Sequence, residues 1–482
     1  MKIAIVFGKG LDGCGVQRGA IEMATWAKRN GVLFDVYEYT GRVFCRAAGQ
    51  KFPDKHFKFD VTNLDDVAVK LNDNYDIVIL NSYPSNRQGS NVVIEFYNKV
   101  ITKLEKPIIV GMMHEILRMN VDRIPILMPI LNRCDIVFNF SEKTNFSKEL
   151  SSILPTKVLG ERMRRFKMWI DLKELKENYR DVYPLDSKRK TLVYVGRWTT
   201  MKDPRRLLDM YPIMKEKDPN FHLLMHGIEK SVGAAKDIIR QPNSFFKLYH
   251  KEYDWNVPGV QVFGQYKYHD GMKAISESLF GCSFFRLPKA PNNYGDRMEY
   301  TQIEIIGCGT IPVFDKHFGE NNVDSLGNRF CDVENLAVWS DRNDLAETCD
   351  KLIDVANDTN AQKRYRDSGF SFIDREFNTD IVLPKMFDDI LRMGKDTGRL
   401  DDERLINQFF ENEKAYNDFC SLMAEGKPPA MGLKEHEEKI LRYFATPKGK
   451  REEAFYYAEK IPRSLSKKLE TSDDETEELD DN

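Results

Sequence analysis

A short loop with two cations follows one of the β-rich runs of the sequence. After residues 191–195 the chain reads GRWTTMK, which places Arg197 and Lys202 five positions apart, just ahead of a helix predicted to begin near Pro204. Two cations fixed near a helix start suit a diphosphate leaving group, because its negative charge grows as the bond to it breaks. Arg197 and Lys202 therefore indicate group transfer from a diphosphate-containing donor.

Two acids lie on a predicted helix later in the chain. Glu299 and Glu304 precede the segment GCGTIPV at 307–313, where the helix ends at glycines and a strand begins. One alternative is an amphipathic helix with solvent-facing acids. Because Arg197 and Lys202 lie in the same half of the chain, a ligand-binding role for these acids is favoured.

A glycine-rich loop follows the first β-rich run. Residues 8–13, GKGLDG, match the dinucleotide fingerprint G-x-G-x-x-G, and Asp35 and Glu38 lie at a plausible distance for a ribose contact. The predicted helix begins only after Gly15, so the loop is longer than a Rossmann turn. The favoured interpretation is that backbone N–H groups near Gly13 and Gly15 face a sugar or phosphate. A tight connection without a ligand is the other alternative.

The elements that would position these residues alternate between strands and helices. The predicted strands lie at residues 2–7, 76–80, 107–110, 135–140, 191–195, 221–226, 259–263, 280–285 and 310–314. Their nearly continuous apolar character is typical of parallel strands covered on both faces. A first helix is predicted from Val16 to Arg29, and the polar stretch 171–190 is interpreted as a linker. This pattern predicts an α/β protein with two doubly wound, Rossmann-like domains facing a central cleft.

The second half of the chain resembles the retaining glycosyltransferases of the GT-B fold. The resemblance rests on Arg197, Lys202 and Glu304, together with the C-G-T-x-P-V segment. It implies that Arg197 and Lys202 hold a diphosphate and that Glu304 holds the nucleotide ribose. The first acid of the family motif falls on Asp296, a departure from the usual glutamate, and Glu299 competes for its role.

More specifically, the chain resembles the T-even phage DNA α-glucosyltransferases over residues 1–395. The matching segments include GLDGCGV from Gly10, GIEKS from Gly227 and GCGTIPVF from Gly307. The resemblance implies transfer of glucose from UDP-glucose to 5-hydroxymethylcytosine in DNA, with retention at the anomeric carbon. Another sugar such as arabinose, and 5-hydroxycytosine as acceptor, stay open. It further implies protection of phage DNA from host nucleases, in the cytoplasm of an infected bacterium.

The resemblance also suggests residues at the reaction centre. His114 and Glu115 follow the run 107–110, where the family carries His-Asp. A carboxylate there would accept the acceptor proton or stabilise an oxocarbenium-like charge. Glu22 lies on the first helix. The alternatives are a structural histidine at 114 and a solvated surface acid at 22.

The resemblance assigns roles to the predicted domains. They comprise an acceptor-binding domain (1–172), a nucleotide-sugar-binding domain (187–376), a closing helix (377–396), a helical extension (397–465) and a disordered acidic tail (466–482). A basic cluster near the first boundary, with aromatic residues close by, is the candidate for contacts with double-stranded DNA. An ordinary cationic face explains that cluster equally well. Its members are Arg162, Arg164, Arg165 and Lys167.

The composition of the chain excludes several classes of protein. The chain has 482 residues and eight cysteines, with no C-x-x-C pair, which argues against a zinc ribbon or a disulfide scaffold. No apolar run reaches the ~18 residues of a membrane span. No metal site stands out, so no cofactor is expected beyond the UDP-sugar donor, although Mg²⁺ stimulation stays open. The net charge is −3, but residues 470–482 carry eight acids and no base, so the rest of the chain is at +5.

Three rival functions remain. A GT-B transferase acting on a glycan, lipid or protein is the nearest. A non-catalytic DNA-binding protein is disfavoured, because binding DNA does not need a diphosphate site. A nicotinamide oxidoreductase would rest only on the glycine loop. The sequence does not indicate the oligomeric state.

Overall fold

The computed structural model describes most of the chain up to residue 396. The described residues are 1–8, 15–40, 56–81, 91–113, 130–139, 162–165, 167–196, 202–227, 259–263, 268–284 and 298–396. The helical extension and acidic tail predicted for residues 397–482 lie outside them. None of the described helices has the length and apolarity needed to cross a bilayer.

The first sheet contains seven parallel strands in the order β3-β2-β1-β4-β5-β6-β7. The strands are β1 Lys2–Phe7, β2 Leu33–Tyr39, β3 His56–Phe59, β4 Ile77–Leu80, β5 Ile108–Met113, β6 Ile136–Asn139 and β7 Met163–Arg165. Alternate side chains of β1 enter different cores: Ile3 and Ile5 pack on one face, and Ala4 and Val6 on the other. Both faces are covered, which explains the uninterrupted apolar runs.

The second sheet contains six parallel strands in the order β10-β9-β8-β11-β12-β13. The strands are β8 Arg189–Val195, β9 His222–His226, β10 Val260–Phe263, β11 Ser278–Ser283, β12 Ile311–Asp315 and β13 Val338–Ser340. Every residue of β11 and β12 is buried, so helices cover both faces here as well. The prediction of two doubly wound parallel sheets is confirmed.

Eleven α-helices lie in the described part of the chain. They are α1 Gly15–Arg29, α2 Leu64–Asn74, α3 Asn91–Lys99, α4 Leu172–Leu175, α5 Pro204–Lys217, α6 Tyr268–Glu277, α7 Tyr300–Gly307, α8 Lys316–Asn321, α9 Leu345–Asn357, α10 Thr359–Phe377 and α11 Thr379–Met393. The helix predicted from Val16 to Arg29 corresponds to α1, and the predicted closing helix contains α11. The exact domain limits stay predictions.

The segment interpreted as a polar linker, 171–190, is ordered and packed. Asp171 caps α4 by accepting from the backbone N–H groups of Lys173 and Glu174, and a π-helical turn, Lys176–Arg180, follows. Leu175 and Tyr179 are buried in the core of the second sheet. The stretch connects β7 of the first sheet to β8 of the second, as the linker interpretation expects, but it is an ordered connection whose apolar residues pack into a core.

The chain crosses between the two sheets twice, and the crossings are joined. The backbone N–H of Ile170 donates to Phe377 O at 2.9 Å, and that of Thr379 donates to Ile170 O at 3.1 Å. Helix α11 then packs in the core beside β1 and α1, where Phe387 stacks on Trp26 with ring centroids 5.5 Å apart. The last described helix thus belongs to the core of the first sheet.

Candidate active site

One arginine links both halves of the molecule in the cleft. Arg18, in the first turn of α1, is 5% exposed and forms an ion pair with Glu22 one turn later. Its Nη2 lies 3.7 Å from Glu174 Oε2, and its Nε lies 4.0 Å from Glu304 Oε1. The guanidinium carbon lies 4.2 Å from the centroid of the Tyr268 ring. Arg18 therefore contacts α1, α4, α6 and α7 together.

Glu22 is buried rather than solvated. Its side chain is 1% exposed, and its Oε2 accepts a hydrogen bond from the backbone N–H of Asp171 at 2.7 Å. Burial raises the pKa of Glu22 to about 7, although the charge of Arg18 opposes this shift. The alternative of a surface acid is therefore wrong, because both carboxylate oxygens face protein groups.

Glu304 also lies inside the cleft. Helix α7 is buried along its length, and Glu304 is 7% exposed. Burial raises the pKa of Glu304 to about 7, again against the effect of Arg18. The alternative of a helix with solvent-facing acids does not hold for Glu304, because this carboxylate faces Arg18 and the Tyr268 side chain rather than solvent.

A second cation and acid pair lies at the beginning of the same helix. Lys202, just ahead of α5, contacts the carboxylate of Glu299, which is the N-cap residue of α7. The side chains of Lys202 and Glu299 are 15% and 27% exposed, so a ligand in the cleft can reach them. The backbone N–H of Glu299 donates to Gln302 Oε1 at 2.9 Å, which fixes the helix start. The structure thus joins Lys202 to Glu299 at the start of α7, and Glu304 lies further along the same helix.

A glycine allows α1 to approach the second domain. A Cβ added at Gly19 would lie 2.5 Å from the Tyr300 hydroxyl oxygen, and Gly19 O accepts from Trp169 Nε1 at 2.7 Å. Any side chain at position 19 would have to displace the buried Tyr300 ring. Gly19 therefore allows the close approach that brings Arg18 near Glu304.

Several predicted site residues lie outside the described part of the chain. They are Gly13, His114, Glu115, Arg197 and Asp296. His114 and Glu115 directly follow β5, and Gly15 is the first residue of α1. Their predicted roles stay predictions.

The basic cluster is not a uniform exposed surface. Arg162 is 2% exposed, forms an ion pair with Asp396 and donates to the backbone oxygens of Asn132 and Cys134 at 3.4 and 3.3 Å. A direct phosphate contact from Arg162 is not supported, because its guanidinium is enclosed by protein groups. No local sequence pattern reveals this ion pair, since Asp396 lies at the far end of the described chain.

Arg164 and Lys167 also have internal partners. Arg164 Nη1 donates to Met163 O at 2.9 Å, and Lys167 forms an ion pair with the buried Glu376. For Arg165, the structure describes only the backbone, which ends β7. The structure therefore does not bring the four bases together as one exposed patch.

Glu376→Gln is expected to lower the free energy of unfolding by about 1–3 kcal/mol at pH 7, because Glu376 accepts hydrogen bonds from Lys167, Ser325 and Arg375. Burial alone would raise the pKa of Glu376, but these hydrogen bonds hold it below the usual value. The stabilisation is therefore present above the unfolded pKa and disappears in acid. Urea unfolding at pH 7 and pH 4 measures this, with the exposed Glu177→Gln as control. Equal losses at both pH values would contradict it.

Three carboxylates of the described residues lie close enough together to hold a metal ion. These are Glu22, Asp171 and Glu174. Arg18 already pairs with Glu22 and Glu174, and Arg29 Nη1 lies 2.6 Å from Asp171 Oδ2. Guanidinium groups thus supply the positive charge in this cluster.

The fold and the cleft define a class of protein. Two doubly wound α/β domains face each other, with cations and carboxylates at the edge of the second sheet. A solved alpha-glucosyltransferase in complex with UDP has the same fold, at a TM-score of 0.66 and 20% identity, and the match covers 81% of this chain and 100% of that one. A trehalose-6-phosphate synthase matches at a TM-score of 0.53 and 12% identity, covering 81% of this chain and 99% of that one. The fold is that of the GT-B glycosyltransferases.

Within that class, sequence comparison identifies the family. The family model for DNA alpha-glucosyltransferase matches residues 14–360. A DNA alpha-glucosyltransferase of Enterobacteria phage T4 is 25% identical over 410 residues, which cover 81% of this chain and all of that relative. This chain belongs to the DNA alpha-glucosyltransferase family, and the predicted family resemblance is confirmed.

Sequence reasoning missed Arg18, Glu174 and Tyr268. The available signal was the spacing of Arg18 and Glu22, four residues apart on a helix whose other residues are largely apolar. That spacing also suits an exposed pair, so the burial of Arg18 follows only from the packing of α1 against α4, α6 and α7.

Proposed function

We propose that this protein transfers a sugar from a UDP-sugar to the hydroxyl of 5-hydroxymethylcytosine or 5-hydroxycytosine in double-stranded DNA, with retention of configuration. The observation that carries the proposal is the pairing of Lys202 with Glu299 beside the buried Glu304, at the sheet edge where such folds bind ligands. Membership of the DNA alpha-glucosyltransferase family supports it. One structural neighbour is described as bound to UDP and a 13-mer DNA containing a HMU base.

The donor is proposed to bind by exchange of partners. The diphosphate takes Lys202 from Glu299, with Arg197 as the second cation. The ribose hydroxyls donate to Glu304, while Glu299 or Asp296 accepts from donor hydroxyls. Gly13 and Gly15 are proposed to let the backbone approach the sugar. Among the described residues, Arg18 and Lys202 each already have an acid partner, so this part of the cleft carries little unpaired charge before the donor binds.

The proposed chemistry keeps the anomeric configuration. The bond between the anomeric carbon and the diphosphate oxygen breaks, and the acceptor oxygen forms its bond on the same face. Lys202 and Arg197 stabilise the charge on the departing UDP. The acceptor proton passes to the carboxylate of Glu115, beside His114. Glu22 acts electrostatically on the positive sugar, because Arg18 and the backbone N–H of Asp171 already engage its oxygens.

The two cations are proposed to replace a metal at the diphosphate. Arg197 and Lys202 supply two positive charges, which match those that a divalent ion would bring. Activity should therefore persist in EDTA, whereas added Mg²⁺ changes the rate only modestly. Complete loss of activity in EDTA, with recovery on adding Mg²⁺, would contradict this part of the proposal.

The test of the function uses the full-length protein. It is incubated with UDP-glucose or UDP-arabinose and duplex DNA carrying 5-hydroxymethylcytosine, and the nucleosides are analysed by mass spectrometry. Unmodified duplex and an oligosaccharide serve as alternative acceptors. NMR of the product establishes the anomeric configuration. Transfer to the oligosaccharide but not to the modified DNA would replace this proposal by a GT-B transferase for glycans.

The proposed biological role is protection of phage DNA from host nucleases, in the cytoplasm of the infected bacterium. DNA contacts are proposed from Arg164, Arg165 and Lys167. Arg164 and Lys167 are half-buried, and a DNA phosphate would have to compete with their internal partners for these two cations. Their contribution to DNA affinity should therefore be smaller than that of fully exposed bases.

Deleting residues 470–482 is expected to tighten DNA binding, more strongly at low salt, and to leave UDP binding unchanged. The eight acids repel phosphate or compete for basic surface, within a Debye length of about 8 Å at physiological salt. DNA titrations at two salt concentrations measure the effect. A tail of equal length with the acids replaced by Asn and Gln is the matched control and should behave like the deletion. Coincident curves at both salt concentrations would leave only a solubility role.

A further inference from the structure

Asp203, the residue after Lys202, has an unusual backbone conformation. Its φ of 39° and ψ of 48° lie in the left-handed region, and it directly precedes Pro204 at the start of α5. A side chain disfavours the left-handed region, and a following proline biases a residue toward extended conformations. Two local preferences therefore oppose the geometry of Asp203, so tertiary contacts must hold it.

Arg206 supplies those contacts. Its Nε and Nη2 each lie 3.2 Å from Asp203 Oδ2, and both side chains are 3% exposed. Arg342, at the surface, adds its Nε at 3.9 Å from the same oxygen. The side chain of Asp203 is thus fixed by one buried arginine and supported by a second.

The same guanidinium is attached to the edge of the second sheet. Arg206 Nη2 lies 2.5 Å from Asp315 Oδ2 at the end of β12, and Nη1 donates to Ser340 O at the end of β13 at 3.2 Å. The guanidinium carbon lies 4.6 Å from the ring centroid of Phe284, directly after β11. Arg206 therefore connects the start of α5 to the carboxyl ends of three strands.

We infer that Asp203, held by Arg206, is a positioning residue that aims Lys202 at the second phosphate of the donor. The inference rests on the proposed function of Lys202. The left-handed conformation of Asp203 sets the direction of the backbone at Lys202 relative to α5. Because Arg206 anchors that turn to the sheet edge, the ammonium of Lys202 is held at a defined place in the cleft.

This role predicts a selective effect on nucleotide affinity. Lys202→Met should weaken UDP binding about 100-fold and UMP binding only a few-fold, because UMP lacks the second phosphate. Asp203→Ala should weaken UDP binding about 10-fold and leave UMP binding nearly unchanged. Asp203→Asn should stay within about 3-fold of wild type, since asparagine tolerates the left-handed region and keeps an oxygen for Arg206.

The experiment measures dissociation constants of UDP and UMP by calorimetry for each variant. Asn335→Ala is the matched control, because Asn335 is the other non-glycine residue with a positive φ in the described chain. If Asp203→Ala does not fold, Arg206→Lys replaces it, since lysine keeps the charge but cannot join both Asp203 and Asp315. The same selective loss of UDP is expected there.

The outcomes separate the two proposals. An unchanged ratio of UDP to UMP affinity in Lys202→Met would overturn the diphosphate role of Lys202. A changed ratio in Lys202→Met, with equal losses of UDP and UMP in Asp203→Ala, would overturn only the positioning role. Unaltered affinities for both nucleotides in Asp203→Ala would overturn it as well.

Discussion

Arg18→Met is expected to lower the free energy of unfolding by about 3–5 kcal/mol at pH 8, the range for removing one partner of a buried ion pair. Arg18 is the cation nearest to the carboxylates of Glu22 and Glu304 among the described contacts. Methionine has a similar length but leaves both carboxylates without that charge. The loss should include weaker contact between the domains, because Glu304 lies across the cleft from α1.

The pH dependence tests the electrostatic cause. The pKa values of Glu22 and Glu304 are raised to about 7. The stabilisation that these protonated groups contribute is therefore complete below their unfolded pKa and is lost as the pH rises through about 7. Without Arg18 both carboxyls retain protons to higher pH. The difference between variant and wild type should therefore be large at pH 8 and smaller at pH 5.5.

Urea unfolding at both pH values measures this difference. Arg29→Met is the matched control, because Arg29 lies on the same helix and pairs with Asp171 but is 34% exposed. Its loss should be about 1 kcal/mol or less. A loss for Arg18→Met that is no larger than this, or that does not change with pH, would show that the carboxylates do not depend on Arg18.

Lys202→Met is expected to reduce kcat/KM for the UDP-sugar by about 10²–10³-fold, which corresponds to about 3–4 kcal/mol of transition-state stabilisation. The reason is that Lys202 would stabilise the charge that develops on UDP as it leaves. The thermal stability of the variant should change little, because Lys202 is partly exposed and its partner Glu299 can be solvated. Steady-state kinetics with modified duplex DNA provide the measurement.

Lys190→Met provides a control of the same chemistry. Lys190 lies at the opposite end of β8 and pairs with Asp218 Oδ2 at 2.8 Å, so this change also removes a lysine from an ion pair. Its kcat/KM should stay within about 2-fold of wild type. If the two lysine variants have equal activity, Lys202 does not act on the diphosphate.

The sequence predicted the fold best where burial is complete. Strands such as Ile77–Leu80 and Ile311–Asp315 consist almost entirely of apolar residues, so a short window reveals them. The strands β2, β3, β7 and β13 were not predicted. Leu33–Tyr39 contains two acids, and Val338–Ser340 has only three residues, so neither stands out from its surroundings.

The proximity of some candidate site residues could be predicted for a similar reason. Lys202, Glu299 and Glu304 lie in short motifs next to strands, which a local pattern reveals, although Asp296 stands where the family motif usually has a glutamate. The partners of the basic cluster are distant in sequence: Glu376 lies 209 positions after Lys167. No local pattern reveals that such a base is already paired. Arg18 was missed because its three acids come from different segments of the chain.

The position of α11 has a consequence for synthesis on the ribosome. Leu383, Met386, Phe387 and Ile390 complete the core that begins with Ile3 and Ile5 of β1. Domains generally fold from the N-terminus as the chain emerges. The core on this face of the first sheet therefore stays incomplete, with Trp26 of α1 lacking its partner Phe387, until almost 400 residues have been translated. A nascent chain of this kind exposes apolar surface, and so needs protection from aggregation, throughout the synthesis of its second domain.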